Sequence, residues 1–123
     1  MINLLSPPRG KFSRVKSITI GSTKLLFVSG IAASIDTPPT VKEQTEQIFK
    51  IIEGLLNEHD ATLEHIVKLT CYLADINYYL QYNEVRDKLF AQFDKPAASS
   101  TVEAKLVLPE FLVEIEAIAV IDN

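Results

Sequence analysis

The chain has 123 residues, of which 47% are hydrophobic and 23% are charged, and its net charge is −4 at pH 7. This length and composition predict a single globular domain over residues 1–123 rather than a disordered or fibrous chain. The negative net charge, and the lack of a run of lysine or arginine, argue against a protein that binds nucleic acid through its phosphates. We therefore expect no nucleic-acid partner.

Cysteine usage and the N-terminal sequence bear on the compartment. Cys71 is the single cysteine, so an intrachain disulfide is excluded, as suits a reducing environment. The first residues, MINLLSPPRGK, are interrupted by two prolines and do not resemble a secretory signal. No apolar run approaches the ~20 residues that span a bilayer. We expect a cytoplasmic protein that has no membrane partner.

The first part of the chain predicts a β-hairpin. After an irregular arm over residues 1–11, hydrophobic residues recur loosely over 12–20, Gly21 and Ser22 supply a turn, and residues 24–29 form a short apolar strand. A further short strand is predicted near residues 31–35.

A helix is predicted after the break at residues 37–39. Thr40, with Glu43 three residues later, is the signature of a capping box, which marks the start of a helix. Apolar residues then recur at helical spacing, and this stripe consists of Val41, Ile48, Ile51, Ile52, Leu55 and Leu56.

The second half predicts a strand, a helix and two more strands. Residues 66–73 are β-branched and alternating, and Asp75 is suited to cap a helix over residues 76–93. Strands over 99–107 and 112–121 follow. The predicted apolar stripe of the helix contains one unexpected amide, and its members are Ile76, Tyr79, Leu80, Asn83 and Phe90.

The resulting order is β-β-α-β-α-β-β, an α+β class with one sheet and two helices on one face, as in chorismate mutase-like folds. The last strand alternates, so Glu114 and Glu116 share the face that the helices leave uncovered. This face is either solvated or part of a pocket or subunit contact, and spacing does not choose between these alternatives. Its aliphatic residues favour a subunit contact: Leu112, Ile118 and Val120.

Several residues with reactive side chains have ordinary structural explanations. His59 and His65 are six residues apart, a spacing that suits no common metal motif, so we expect no metal site. Cys71 lies within a predicted strand and is expected to be a small buried hydrophobe. The hydroxyls of residues 99–101 suit a turn or cap, although exposed backbone at a strand start can also bind a small polar ligand.

Five segments resemble the RidA family, also called YjgF, in the same order as in that family. LLFVSGIAA resembles its strand that ends in a Ser-Gly pair, and EQTEQIFKIIEGLL resembles its first helix. HIVKLTCYLADI resembles the pattern vvk.tvyl.d, YNEVRDKLF resembles vNevy..fF, and LVEIEAIAV resembles the closing strand.

The resemblance implies a homotrimer with a central barrel of sheets, outer helices and ligand clefts between subunits. It also implies hydrolysis of a reactive enamine or imine, such as 2-aminoacrylate, to a keto acid and ammonia, without a cofactor. The family's catalytic glutamate matches Glu114. Positions implied to contact the ligand are Phe12, Ser29, Gly30, Asn83 and Thr101.

One position departs from the family pattern. The family motif P-A-R-S/T is PAASST here, so Ser99 stands where the family has the arginine that holds the substrate carboxylate. A serine offers no bidentate fork. Ser99, Ser100 and Thr101 are then expected to donate hydrogen bonds to a different substrate. Arg14, Arg86 and Lys105 are alternative cations, but sequence does not place any of them in a cleft.

Two functions follow. The first is a deaminase of small enamines or imines whose substrate differs from the family's standard one. The alternative is a non-catalytic trimer that binds a small ligand or regulates a partner. The endoribonuclease and translation-inhibitor labels used in this family are least compatible with the acidic charge.

Overall fold

The computed structural model describes residues 11–122, which form a five-stranded mixed sheet and two α-helices. Most of the predicted N-terminal arm lies outside these residues. The elements in chain order are β1 (Val15–Ile20), β2 (Thr23–Ala32), α1 (Val41–Asn57), β3 (Ile66–Leu73), α2 (Tyr79–Phe90), β4 (Ala98–Glu103) and β5 (Val113–Asp122).

The N-terminal hairpin forms as predicted. β1 and β2 are antiparallel and joined through Gly21, whose φ of 59° is a conformation that glycine adopts without steric penalty. β2 is longer than predicted because it continues to Ala32 through an irregularity between Val28 and Ile31. The separate strand predicted near 31–35 is therefore wrong: after Ala32 the chain leaves the sheet, and Ser34 N–H donates to Gln47 Oε1 of α1 at 2.7 Å.

The helix α1 begins where the capping signature predicts. The Thr40 hydroxyl accepts a hydrogen bond from the Glu43 N–H at 3.1 Å, which satisfies one of the free donors of the first turn. The predicted stripe faces the sheet, with Ile48, Ile52 and Leu56 fully buried. Gln44 is buried beside them and contacts the loop before β5.

The helix α2 is shorter than predicted and buries a different stripe. A 3₁₀ turn over Ile76–Tyr78, capped by Asp75, precedes it. Of the predicted stripe only Phe90 is buried, and Leu80 is 76% exposed. The other buried side chains of α2 are Tyr82 and Val85. The sequence does not show which side of α2 is buried, because its six apolar or aromatic residues fit more than one helical stripe and polar residues flank Tyr82 on both sides.

The strand β4 ends earlier than predicted. It pairs in parallel with β3, which stops at Leu73, so residues beyond Glu103 have no ladder partner there. The chain then turns at Pro109, where Phe111 N–H donates to Leu108 O at 3.1 Å. β5 follows within one residue of its predicted bounds and occupies the centre of the sheet order β1-β2-β5-β3-β4.

The core lies between the helices and one face of the sheet. Alternate residues of β5 are buried on this face, and Phe49 of α1 packs edge-on against Phe90 of α2 with ring centroids 5.7 Å apart. This arrangement confirms the predicted α+β class. The other sheet face carries exposed apolar residues, among them Ile18, Ile20 and Phe27. Within residues 11–122, neither α-helix has the length and apolar composition needed to cross a membrane.

Candidate functional site

Glu114 lies on the sheet face that the helices do not cover. It belongs to the central strand β5 and pairs with Ala32 of β2 on one side and Tyr72 of β3 on the other. Its neighbours along the strand, Val113 and Ile115, are fully buried in the core. The pleat therefore fixes the direction in which the half-buried carboxylate points.

Gly30 provides the space that the Glu114 carboxylate occupies. A Cβ at position 30 would overlap Oε2 of Glu114 and would lie 3.0 Å from its Cδ and 3.3 Å from its Cγ. Any side chain at position 30 would therefore displace the carboxylate. The structure brings together these two residues, which the sequence predicted as catalytic and ligand-binding, respectively.

A second carboxylate and a tyrosine adjoin Glu114. The Tyr72 hydroxyl donates a hydrogen bond to Glu116 Oε1, and this bond raises the pKa of Tyr72. Burial, followed by the negative charge of Glu116, raises the pKa of the Glu114 carboxyl. Glu114 is consequently a stronger base than an exposed glutamate.

These residues line an open cleft of about 230 Å³. Its wall beyond the sheet is the segment between β4 and β5, residues 104–107, so Lys105 and two aliphatic residues line the same cleft as the carboxylates. The cleft thus combines a base, a phenol and a cation around a space suited to a small molecule.

A separate cluster surrounds Ser99. Strand β4 pairs Ser99 with the buried Leu69, which turns the serine towards the helices. There Arg86 of α2 donates from Nη1 to Ser99 Oγ at 3.3 Å and from Nη2 to Asn83 Oδ1. Asn83, predicted as a ligand contact, therefore orients Arg86 in this structure.

Within one chain, the other residues predicted to contact the ligand lie outside both the cleft at Glu114 and the cluster at Ser99. Ser100 faces the opposite side of β4 from Ser99 and accepts a hydrogen bond from Lys68 Nζ at 2.7 Å. Thr101, the next residue, pairs with Cys71 of β3. Ser29 donates from its hydroxyl to Ser13 O at 2.7 Å, and its N–H donates to the carbonyl of Arg14 at 2.8 Å.

The two predicted residues before β1 are exposed. Phe12 is 69% exposed, and Arg14 is also exposed. Neither lines the cleft at Glu114 or the pocket at Arg86. The contacts of Phe12 and Arg14 with a ligand therefore stay predictions.

Two residues with reactive side chains, Cys71 and His65, have ordinary structural roles. Burial raises the pKa of the Cys71 thiol to about 12, so the thiol stays protonated. His65 accepts a hydrogen bond from Thr62 N–H at 2.9 Å through Nδ1 and closes a 3₁₀ turn. Among residues 11–122, no three His, Cys, Asp or Glu side chains converge as a metal site would require.

Comparison with known proteins identifies the family and the fold. A sequence model of the family described as Endoribonuclease L-PSP matches residues 5–121, nearly the whole chain. The chain belongs to the RidA/YjgF family. A RutC family protein of Pyrococcus abyssi is 36% identical over 117 residues, covering 91% of this chain and 87% of the relative. The mitochondrial protein Mmf1 of Saccharomyces cerevisiae is 35% identical over 106 residues, covering 83% and 72%, respectively.

Solved structures of other RidA/YjgF proteins share the fold. A member of the YjgF/YER057c/UK114 family from Mycobacterium tuberculosis superposes with a TM-score of 0.75 at 32% identity, covering 89% of this chain and 86% of that one. Yeast Mmf1 superposes with a TM-score of 0.76 at 28% identity, covering 97% and 94%.

Sequence reasoning missed part of what surrounds the predicted residues in this RidA/YjgF protein. Tyr72 was not predicted as a neighbour of Glu114, although its position on β3 follows once the ladder register is known. Glu116 was placed on the same face as Glu114 but was given no role. Arg86 was left unplaced. A signal existed, because YNEVRDKLF carries an arginine where the pattern vNevy has an aromatic residue.

Proposed function

We propose that this RidA/YjgF protein hydrolyses small reactive imines or enamines, with Glu114 acting on the attacking water. The observation that carries the proposal is the half-buried Glu114 carboxylate, held beside Gly30 in a small cleft, with its pKa raised by burial and by Glu116. Such a carboxylate accepts a proton more readily than an exposed one.

The reaction requires few groups. The reacting species is the protonated imine. Glu114 takes a proton from water as the water oxygen bonds to the iminium carbon, which gives a neutral carbinolamine. Glu114 then returns that proton to the nitrogen, and the C–N bond breaks as the hydroxyl oxygen forms the carbonyl group. Ammonia leaves, and the hydroxyl proton passes to it or to solvent, which gives ammonium and a carbonyl compound. An enamine enters this route after protonation at carbon. One positioned acid–base group typically contributes 10²–10⁴-fold to such a rate.

Substrate choice is proposed to differ from that of relatives with an arginine at the position of Ser99. A serine hydroxyl makes one hydrogen bond where a guanidinium makes two charged ones. Groups that approach Ser99, above all Arg86 at 3.3 Å, are therefore expected to set the selectivity.

We also propose that the chain assembles as a homotrimer, with ligand clefts completed by neighbouring subunits. The sheet face opposite the helices supports this, since Ile20 is 65% exposed there beside Ile18 and Phe27. An uncovered apolar sheet face is typical of an interface. Light scattering after size exclusion should give about three times the 13.7 kDa chain mass.

Phe27→Asp should break that assembly by burying a charge at the interface. Leu80→Asp is the matched control, because Leu80 is exposed on the outer surface of α2. A monomeric wild type, or equal dissociation by both variants, would contradict the trimer.

Two reactions test the enzymatic proposal: release of ammonia and keto acid from 2-aminoacrylate, and release of ammonia and the carbonyl compound from imines of neutral carbonyl compounds. The wild type should accelerate release from at least one of these above the protein-free rate. No acceleration for any of them, with the trimer intact, would favour the non-catalytic binding role. The endoribonuclease name of the family is not extended to this chain, because its net charge of −4 opposes RNA binding.

A cytoplasmic location remains part of the proposal. The single buried cysteine suits a reducing compartment. The yeast relative Mmf1 is named as mitochondrial, so a mitochondrial location is the alternative. Cell fractionation with an antibody to the chain would decide, and recovery with organelles would contradict the proposal.

A further inference from the structure

Tyr72 and Glu116 form a hydrogen-bonded pair on the floor of the cleft at Glu114. Tyr72 lies directly opposite Glu114 in the ladder between β3 and β5, and its ring extends along β5 so that the hydroxyl donates to Oε1 of Glu116. Both side chains line the cleft. The pair is therefore placed to contact the same small molecule as Glu114.

The pair offers hydrogen-bond acceptors, rather than donors, to a molecule in the cleft. A phenol has one proton, and Tyr72 donates it to Glu116. This bond is also the largest cause of the raised pKa of Tyr72, so the phenol keeps its proton at neutral pH. An ionised carboxylate accepts hydrogen bonds only. A ligand atom that contacts both the Tyr72 oxygen and the Glu116 carboxylate must therefore be a donor.

Glu114 and the pair occupy different sides of the cleft floor. The Glu114 carboxylate leans towards β2, where it fills the space beside Gly30. The Tyr72 hydroxyl comes from β3, the strand on the other side of β5. One reacting molecule therefore has room to meet Glu114 through the water that attacks its carbon, and to meet the pair through its nitrogen.

The wall beyond the sheet favours the same orientation. Lys105, Leu106 and Val107 line this wall. Repulsion from the Lys105 ammonium opposes a cationic nitrogen there, whereas the two aliphatic side chains suit the hydrocarbon part of a ligand. The cationic end of a ligand is thus directed to the floor, where the carboxylates and the phenol lie.

We propose that the Tyr72 oxygen and the Glu116 carboxylate accept hydrogen bonds from the N–H groups of the protonated imine, and so hold its carbon against the water that Glu114 activates. Hydrogen bonds from a cation to such acceptors are stronger than those between neutral groups. The nitrogen stays at the pair in the carbinolamine, receives there the proton that Glu114 returns, and leaves as ammonia. This inference rests on the proposed function, but binding of a cation by the pair is measurable without turnover.

Acetamidine tests the pair, because its cation has the planar, positively charged C–NH₂ group of a protonated imine and is stable during a titration. Acetamide has nearly the same shape without the charge. In ligand-detected NMR above the folded pKa of Glu114, the wild type should bind acetamidine at least about tenfold more tightly than acetamide, because hydrogen bonds from a charged donor are stronger.

Tyr72→Phe separates a binding role from a role in shaping the cleft. It should lower the preference for acetamidine over acetamide about three- to tenfold, because an acceptor for the cation is lost. A residue that only shapes the cleft would change both affinities alike. Tyr78→Phe is the matched control: Tyr78 does not line the cleft, so the preference should stay within about twofold of the wild type.

Glu116→Gln provides a second variant that nearly keeps the shape of the side chain while removing its charge. It should lower the same preference about three- to tenfold. This variant decides the matter if Tyr72→Phe does not fold.

Three results would overturn the role of the pair: no binding of acetamidine by the wild type at about 50 mM (on the order of the weakest specific sites), equal binding of acetamidine and acetamide, or an unchanged preference in either variant that folds. Failure of imine hydrolysis, with a preference for acetamidine that depends on the pair, would contradict the proposed function alone. Hydrolysis without that preference would contradict this inference alone.

Discussion

Gly30→Ala is expected to reduce activity strongly while leaving the fold almost as stable as before. The backbone at Gly30 is not in the left-handed region, so alanine meets no conformational strain there. Its Cβ, however, would lie 3.0 Å from Cδ of Glu114, whereas carbon atoms in contact are normally about 3.5–4.0 Å apart. The carboxyl carbon must therefore retreat by about 0.5–1 Å.

The two effects of this shift differ in size. Turning the Glu114 side chain away from its rotamer costs roughly 0.5–1.5 kcal/mol. Replacing glycine by alanine gains about 0.4–1 kcal/mol through the unfolded state. These nearly cancel in the free energy of unfolding. A displacement of about 1 Å at a catalytic group, by contrast, can lower kcat/KM about 100-fold, equivalent to ~2.7 kcal/mol.

The assay compares kcat/KM for keto-acid release with the free energy of unfolding from urea titration. Gly54→Ala is the matched control: no atom lies within 4 Å of its added Cβ, and in a helix it should gain about 0.5–1 kcal/mol without changing activity. Full activity of Gly30→Ala would refute the role given to the Glu114 position. A loss of stability above about 3 kcal/mol would refute the reasoning that the carboxylate simply moves aside.

Three further substitutions probe the charges and contacts around the site. Glu116→Gln removes a negative charge that raises the pKa of Glu114, so the acid limb of the profile of kcat/KM against pH should move to lower pH; an unmoved limb would exclude this coupling. Glu114→Gln should raise Tm more at pH 7 than at pH 4. Because the pKa of Glu114 is raised in the folded state, the protonated carboxyl stabilises the fold. This contribution is fully present below the unfolded pKa of about 4.3 and is lost as pH rises through the folded pKa. An equal change in Tm at both pH values would contradict this sign. Gln44→Leu leaves the carbonyl of Glu110 and the N–H of Leu112 without their partner, so urea denaturation should show a loss of about 1–3 kcal/mol, and no loss would indicate that the loop before β5 does not need this contact.

The elements with strong local signals could be predicted from sequence. Thr40 and Glu43 fix the start of α1, and β-branched alternation fixes β3 and β5 to within a residue. The prediction of the buried stripe of α2 was wrong because few of its residues are buried and polar residues lie between them. Only packing against the sheet, through Tyr82 and Phe90, shows which stripe is buried.

The site could be predicted only in part for a related reason. The alternation of β5 places Glu114 on the uncovered face, but its contacts with Gly30 and Tyr72 depend on strands that are distant in sequence. The meeting of Arg86 and Ser99 likewise depends on how α2 lies across β4. Sequence spacing carries no information about how a helix crosses a strand, so the contact between Arg86 and Ser99 could not be predicted.

In the proposed mechanism the Glu114 carboxylate acts on water in the cleft. The most direct measurement is kcat/KM for imine hydrolysis by Glu114→Gln beside Glu116→Gln, which removes the neighbouring carboxylate from the same strand. The proposed mechanism predicts a loss of at least about 100-fold for Glu114→Gln, the usual contribution of an acid–base group, and a much smaller loss for Glu116→Gln. Equal losses in the two variants, or wild-type activity in Glu114→Gln, would contradict it.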